Sequence, residues 1–169
     1  MPPCIDVYSL TAHRERAIID RFLSTYVDLE RSADRRGEEL AVLPLSYRGR
    51  PFDLPLDKWE TVEFASLEEV IAYGLAAPPR AFTIYLRSRP PWCGAILCFT
   101  RTGEIEFGVS LDDPLDSPDA LATAKGLLGE LMAMTDGIRG WAAGEMPPSL
   151  DPRVERPWEM ESALAAVER

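Results

Sequence analysis

Histidine and cysteine are scarce in this sequence, and their scarcity excludes several kinds of site. Among 169 residues there is one histidine, His13, and there are three cysteines, Cys4, Cys93 and Cys98. A single histidine rules out most nucleophile–base triads and nearly every histidine-rich metal site. Three cysteines without CxxC spacing indicate neither a disulfide framework nor a zinc site, and they fit a reducing compartment. We therefore expect no metal, no cofactor and no catalytic residue, and we favour a binding protein over an enzyme.

Long hydrophobic runs and targeting signals are also missing. No apolar run approaches the ~20 residues that a bilayer requires. The N-terminus lacks a basic segment followed by an apolar one. The length is that of one ordinary domain. We predict a cytoplasmic protein with a single domain over residues 1–169, in which the proline-rich segment 145–169 is a candidate docked C-terminal extension.

Negative charge is concentrated in the C-terminal portion of the chain. Residues 1–101 hold 14 acidic and 13 basic side chains, whereas residues 102–169 hold 14 acidic and 5 basic ones. Nearly all of the net charge of −10 therefore lies after residue 101. Such a field repels nucleic acid and anionic membranes and attracts a cationic partner. We expect a basic protein partner.

Apolar periodicity and capping residues predict four helices. Residues 12–29 carry an apolar stripe at three- and four-residue intervals, with Thr11 as a candidate N-cap. Ser66 and Glu69 form a capping box that opens a short helix to about Leu75. Residues 118–135 carry a second strong stripe behind Pro118. A last helix is expected near the C-terminus, carrying Trp158, Leu164 and Val167.

Alternating residues predict strands over 4–10, 81–87, 94–101 and 104–111, and an edge strand near 138–142. The three middle strands follow one another across short turns, which is typical of an antiparallel meander. The sequence therefore predicts an α+β domain in which a meander over about 81–111 packs against the helices at about 12–29 and 118–135.

The Thr102-Gly103 pair sets the predicted register of the meander. A two-residue turn there places Cys98 opposite Phe107 in the core and turns Phe99 outward beside Glu106. Glu104 and Glu106 would then line a solvated face with an apolar spot at its centre. A bulge at the turn would shift this register.

Four aspartates, Asp112, Asp113, Asp116 and Asp119, lie around the start of the helix at 118. Oxygen ligands suit Ca²⁺ or Mg²⁺, but the glycine and the distal glutamate of an EF-hand loop are missing. Acidic groups at a helix N-terminus also complement the helix dipole, and this is the interpretation we favour. Trp92 lies in a proline-bounded hairpin tip, where a large ring either packs under the body of the protein or meets a partner.

Two alternatives come from other segments. Arg48 and Arg50, with aromatic neighbours, could grip an anion, so a small-ligand protein or an enzyme of unrecognised type stays open. A meander followed by a helix is also shared with acyl-CoA-dependent acetyltransferases. There the junction needs groups that bind pyrophosphate, whereas the carboxylates of residues 112–116 would repel it.

The order of elements, the acidic balance and three segments resemble the small immunity proteins that bacteria carry beside polymorphic or contact-delivered toxins. The segments are FLSTYV (22–27), AFTIYL (81–86) and CFTRTGE (98–104). The resemblance covers about residues 5–145 and contains no diagnostic motif, so it assigns no functional residue. It implies a protein that neutralises a cognate toxin by binding it.

The leading hypothesis is an acidic binding protein that masks a basic partner surface, such as a toxin domain. The predicted contact residues are Glu104, Glu106, Asp112, Asp113, Asp116, Asp119, Phe99 and Trp92. The other hypotheses are the ligand-binding protein or enzyme above, and a structural subunit that forms a homodimer through the second face of the meander.

Overall fold

The structure is a computed structural model that describes residues 4–30, 64, 66–76, 81–112, 118–144, 148 and 163–168. It has an α+β fold, as the sequence predicts. The described strands are β1 (Cys4–Thr11), β2 (Phe82–Leu86), β3 (Gly94–Phe99), β4 (Ile105–Asp112), β5 (Arg139–Gly144) and β6 (Ala163–Glu168). The described helices are α1 (Arg16–Tyr26), α2 (Leu67–Ala76) and α3 (Pro118–Thr135). The arginine loop at residues 48–50 and Trp158 lie outside the described residues.

The six strands form one antiparallel sheet in the order β2-β3-β4-β1-β5-β6. The predicted meander is confirmed as β2, β3 and β4. Strand β5 is flanked by β1 and β6, so the prediction of an edge strand there was wrong. The predicted last helix was also wrong over residues 163–168, because this segment pairs with β5. Pairing with β5 outweighs the helix propensity of its alanines, because propensity is a weak preference that tertiary contacts override.

The three described helices pack on one face of the sheet. The Phe22 ring of α1 lies 4.9 Å from the Phe107 ring of β4, and the Tyr73 ring of α2 lies 6.0 Å from the Phe82 ring of β2. At the other side, Thr135 at the end of α3 shares a buried 2.7 Å hydrogen bond with Ser9 of β1. Apolar side chains of strands and helices therefore form one continuous core between two layers.

Helix α1 is shorter than the predicted span of 12–29. Thr11 is the last residue of β1, where it pairs with Ile105, and its hydroxyl accepts the backbone N–H of His13 at 3.1 Å. The N-cap is Glu15, which has extended backbone angles. At the other end, Val27 is extended and forms a β-bridge with Ser88. Strand pairing thus takes Thr11 and Val27, and the helix lies between them.

Local sequence signals predicted the other two helices correctly. The Ser66 hydroxyl accepts the backbone N–H of Glu69 at 3.2 Å, so the predicted capping box is confirmed. Helix α3 spans the predicted 118–135 and ends in a left-handed residue, Asp136, at φ 51°. The N–H of Gly137 then donates to the carbonyl of Met132 at 2.8 Å, which is the 6→1 bond of a Schellman motif.

Glycines inside the helices have contrasting surroundings. A Cβ on Gly74 of α2 would lie 2.5 Å from Cζ of the buried Phe99, whereas Cβ atoms on Gly126 and Gly129 of α3 would meet no atom within 4 Å. The glycine at 74 therefore permits α2 to lie directly on the sheet. The other two glycines cost helix stability without a packing reason among the described residues.

We expect Gly74→Ala to lower the free energy of unfolding by about 1–3 kcal/mol, because the ring of Phe99 would have to move within a close-packed core. Gly126→Ala and Gly129→Ala should each raise it by about 1 kcal/mol through helix propensity. Urea denaturation of the three single variants measures both effects. Stabilisation by Gly74→Ala would contradict the close packing of α2 on β3.

Candidate partner-binding surface

The turn between β3 and β4 differs from the predicted two-residue turn. Phe99 pairs with Ile105 and Leu97 with Phe107, which leaves a longer turn in which the N–H of Thr100 donates to the carbonyl of Glu104 at 3.1 Å. Gly103 takes the left-handed conformation at φ 100°, as in three-residue hairpin loops. The extra residue shifts the register by one. Every β3 side chain therefore lies on the face opposite to the predicted one.

Phe99 consequently lies in the core. It is fully buried, its ring stacks on that of Phe82 with centroids 4.9 Å apart, and the guanidinium carbon of Arg14 lies 5.3 Å from its ring centre. The prediction that Phe99 turns outward was wrong. In this structure the ring cannot touch a partner.

Glu104 belongs to the β3–β4 turn. Its carboxylate accepts hydrogen bonds from the hydroxyls of Thr100, at 3.0 Å, and Thr102. Arg14 lies nearby and donates to the carbonyl oxygens of Gly74 and Thr100, each at 2.9 Å. Burial lowers the pKa of Arg14, and the charge of Glu104 partly offsets that shift. Glu104 is 8% exposed, so the prediction that it lines a solvated face was wrong.

Glu106 lies on the sheet face opposite the helices, and it is fully buried. It pairs with Cys98 across β3 and with Leu10 across β1. Burial, and then the charge of Glu106, raises the pKa of the Cys98 thiol well above its ordinary value. The second face of the meander is therefore buried around Glu106 and is not the solvated surface that its alternation predicts.

Several neighbours of Glu106 on this face were not among the predicted site residues. Asp6 is buried and accepts a hydrogen bond from the Ser110 hydroxyl at 2.5 Å. Tyr8 and Trp141 are fully buried, with ring centroids 5.5 Å apart. Burial, with Asp6 and then Glu106, raises the pKa of Tyr8 well above 10.0. Alternation in β1 places Asp6 and Tyr8 on one face, but it carries no signal that this face is buried.

Two of the four predicted aspartates are exposed in the structure, namely Asp112 at the end of β4 and Asp119 in the first turn of α3. Asp113 and Asp116 lie outside the described residues. Trp92 is half-buried and packs edge-on to Tyr26, with ring centroids 6.3 Å apart. The indole is thus packed under the body of the protein. Of the eight predicted contact residues, Asp112 and Asp119 are the ones that the structure places in solvent.

Carboxylates dominate the exposed surface of the described residues. Ten of the exposed side chains are acidic and five are basic. The acidic set is Glu15, Asp20, Glu30, Glu68, Glu69, Asp112, Asp119, Glu130, Asp136 and Glu168, and the basic set is Arg16, Arg21, Arg87, Arg89 and Lys125. Most of the acidic groups lie on helices or beside their ends. The negative surface is therefore broader than the strand face and loop that the sequence predicts.

Two of the cysteines, Cys93 and Cys98, have thiols whose pKa is raised. Burial, followed by the nearby Asp112, raises the pKa of Cys93 to about 12. Cys93 and Cys98 therefore stay protonated at neutral pH, and a protonated thiol is a poor nucleophile and ligand. His13 is half-exposed between Asp136 at 3.5 Å and Glu15 at 3.7 Å. Within the described ranges, no group of three His, Cys, Asp or Glu side chains is arranged to hold a metal ion.

Comparison of the chain with protein-family models, with curated proteins and with solved structures found no match. Among the described helices, none has the length and apolar character needed to cross a membrane. The geometry of the exposed carboxylates is therefore the basis for a functional proposal.

We expect stability to fall at alkaline pH in part through Cys98. Below its ordinary pKa of 9.0 the thiol is protonated in both states, and above it only the unfolded chain loses the proton. The free energy of unfolding then falls by about 1.4 kcal/mol per pH unit for this one group. The Cys98→Ala variant lacks this titration. The difference in free energy of unfolding between the parent and the variant should therefore shrink by about 2 kcal/mol between pH 8 and pH 10.5.

Denaturant titrations at several pH values measure this effect. Val109→Ala is the control, because it truncates a fully buried side chain of β4 that does not titrate. Its destabilisation should be the same at every pH. A Cys98→Ala difference that also stays constant with pH would show that the thiol titrates alike in both states.

Proposed function

We propose that this chain is an acidic binding protein of the cytoplasm that masks a basic surface on a protein partner, as an immunity protein does for its cognate toxin. The observation that supports the proposal is the two-to-one excess of exposed carboxylates over exposed basic groups in the described residues. Together with the net charge of −10, it produces a negative field that raises the rate of encounter with a cationic protein.

The region around Asp112 and Asp119 is the first candidate for the contact. Asp112 ends β4 and Asp119 lies in the first turn of α3, so both are held by regular structure next to the segment that contains Asp113 and Asp116. Side chains on rigid elements lose little freedom on binding, which favours their use in an interface. Glu104, Glu106 and Phe99 are buried, so the proposed contact involves the aspartates and not these three residues.

The buried second face argues against the homodimer hypothesis in its original form. Ile96, Cys98 and Glu106 of that face are buried within the single chain, and Tyr85 is exposed at its margin. A second copy of the chain would contact Tyr85 at the edge of this face and not the buried residues at its centre. The hypothesis of an enzyme or ligand-binding protein depends on Arg48 and Arg50, which lie outside the described residues.

Capture with the tagged chain from its native host tests the proposal. We expect a retained protein with a basic isoelectric point at low salt, and we expect its release as the salt approaches 0.5 M because screening shortens the range of charge interactions to a few ångströms. The identified partner is then purified for titration calorimetry. Asp112→Asn with Asp119→Asn should weaken binding about 2- to 10-fold, as expected for two exposed ion pairs.

Arg21→Gln with Lys125→Gln is the control, because it removes two exposed charges of the opposite sign and should leave binding equal or tighter. An acidic partner, or one retained equally at 50 mM and 1 M salt, would contradict the proposal. Equal weakening by both double variants would mean that the aspartates have no specific part in the contact.

A further inference from the structure

A groove runs between α1 and α2 on the outer side of the helix layer. Its volume is about 280 Å³, which is at or below the lower end of the range for small-molecule pockets. Leu23 of α1 and Ile71 of α2 are buried and line the groove, and Leu67 is half-buried beside them. The groove therefore offers an apolar surface of side-chain size, too small to enclose a typical ligand.

Leu29 lies at the rim of the groove and is one of the few large apolar side chains that the described residues expose. It is 42% exposed, although the neighbouring stripe of α1 is fully used in the core. A single exposed leucine needs no explanation, but this one extends the apolar lining of the groove to the surface. An apolar side chain inserted into the groove would bury Leu29 together with Leu67.

Charged groups also line the groove. Arg16 donates to both carboxylate oxygens of Glu68, in one case at 2.7 Å, and its Nε donates to Asp20, also at 2.7 Å. One guanidinium thus faces two exposed carboxylates, which leaves excess negative charge beside the apolar lining. Over residues 16–30 and 66–76 there are five carboxylates and two basic groups. The groove is therefore an apolar slot within an acidic surface.

A partner segment that matches this arrangement has an apolar anchor flanked by lysine or arginine. Helix-in-groove recognition has this form, with apolar residues at helical spacing and charges on the sides that meet the rim. We infer that the α1–α2 groove is the docking site for a basic amphipathic helix of the partner protein, with its apolar face on Leu29 and Leu67. This inference rests on the proposed function and assigns the contact to a second surface, away from Asp112 and Asp119.

A defined peptide tests the inference without the native partner. The probe is a fluorescein-labelled synthetic helix of about 14 residues with leucine at helical spacing and lysine elsewhere. A second peptide has the same composition in an order that gives no apolar face. We expect the amphipathic peptide to bind with a Kd of about 10–100 µM in fluorescence anisotropy and the scrambled peptide to bind at least 5-fold more weakly.

Two variants alter the groove. Asp20→Asn with Glu68→Gln removes both rim charges and should weaken binding about 3- to 10-fold at low salt. Leu29→Ser removes the exposed apolar group and should weaken binding by a similar factor that does not depend on salt. Glu130→Gln with Asp136→Asn is the matched control, because it removes two exposed carboxylates that line neither surface and should change binding less than 2-fold. Asp112→Asn with Asp119→Asn is measured beside it as the variant of the other candidate surface. Thermal melts establish that each variant is folded.

Several outcomes would overturn the inference. These are equal binding of the two peptides, unchanged binding by both groove variants, and a larger loss in the Asp112 and Asp119 double variant than in either groove variant. In the last case the proposed function would stand and the contact would lie at the aspartates. If the native partner is captured at low salt while neither peptide binds, the groove inference fails alone. If neither the partner nor a peptide binds, the proposed function fails as well.

Discussion

Strand β1 pairs along both of its edges with strands that follow it by more than ninety residues. Ile5 lies opposite Leu111 on one side and Gly144 on the other, so β1 joins the meander to the C-terminal strands. The register of these two ladders decides which side chains face the helices. It also brings Tyr8 onto Gly108, where a Cβ would lie 2.6 Å from the tyrosine ring. The rest of the fold depends on this close pairing.

The same pairing explains why the strand carboxylates do not form the outer surface. Residues of β1 and β4 that lie opposite each other share a face, so Asp6, Tyr8 and Glu106 are gathered on the side away from the helices. They are buried there. Burial, and then the charges of Asp6 and Glu106, raises the pKa of Tyr8, and burial with the charge of Glu106 raises that of Cys98. Exposed negative charge is left to the helices and to the ends of strands. A partner of this protein would therefore meet a helical and loop surface.

Two exposed surfaces suit two different kinds of contact. The aspartates beside the start of α3 offer charge alone, which favours rapid and salt-sensitive encounter. The α1–α2 groove adds apolar burial to charge, which slows dissociation more than it speeds association. A basic partner that uses both would combine fast arrival with a longer-lived complex. Leu29, with its exposed side chain beside Glu68 and Asp20, is the residue at which the two effects meet.

The sequence by itself determined the features that depend on neighbours within a few residues. These are the capping box at Ser66 and Glu69, the span of α3, the meander and the acidic balance. Only the tertiary structure decided the register of β3, the burial of Glu106 and the strand at 163–168. A one-residue change in a turn reverses the faces of a strand, and neither a buried second face nor a distant pairing partner leaves a local pattern. Phe99 therefore lies on the opposite side of the sheet from the predicted one, and Glu106 lies on the predicted side but is buried there.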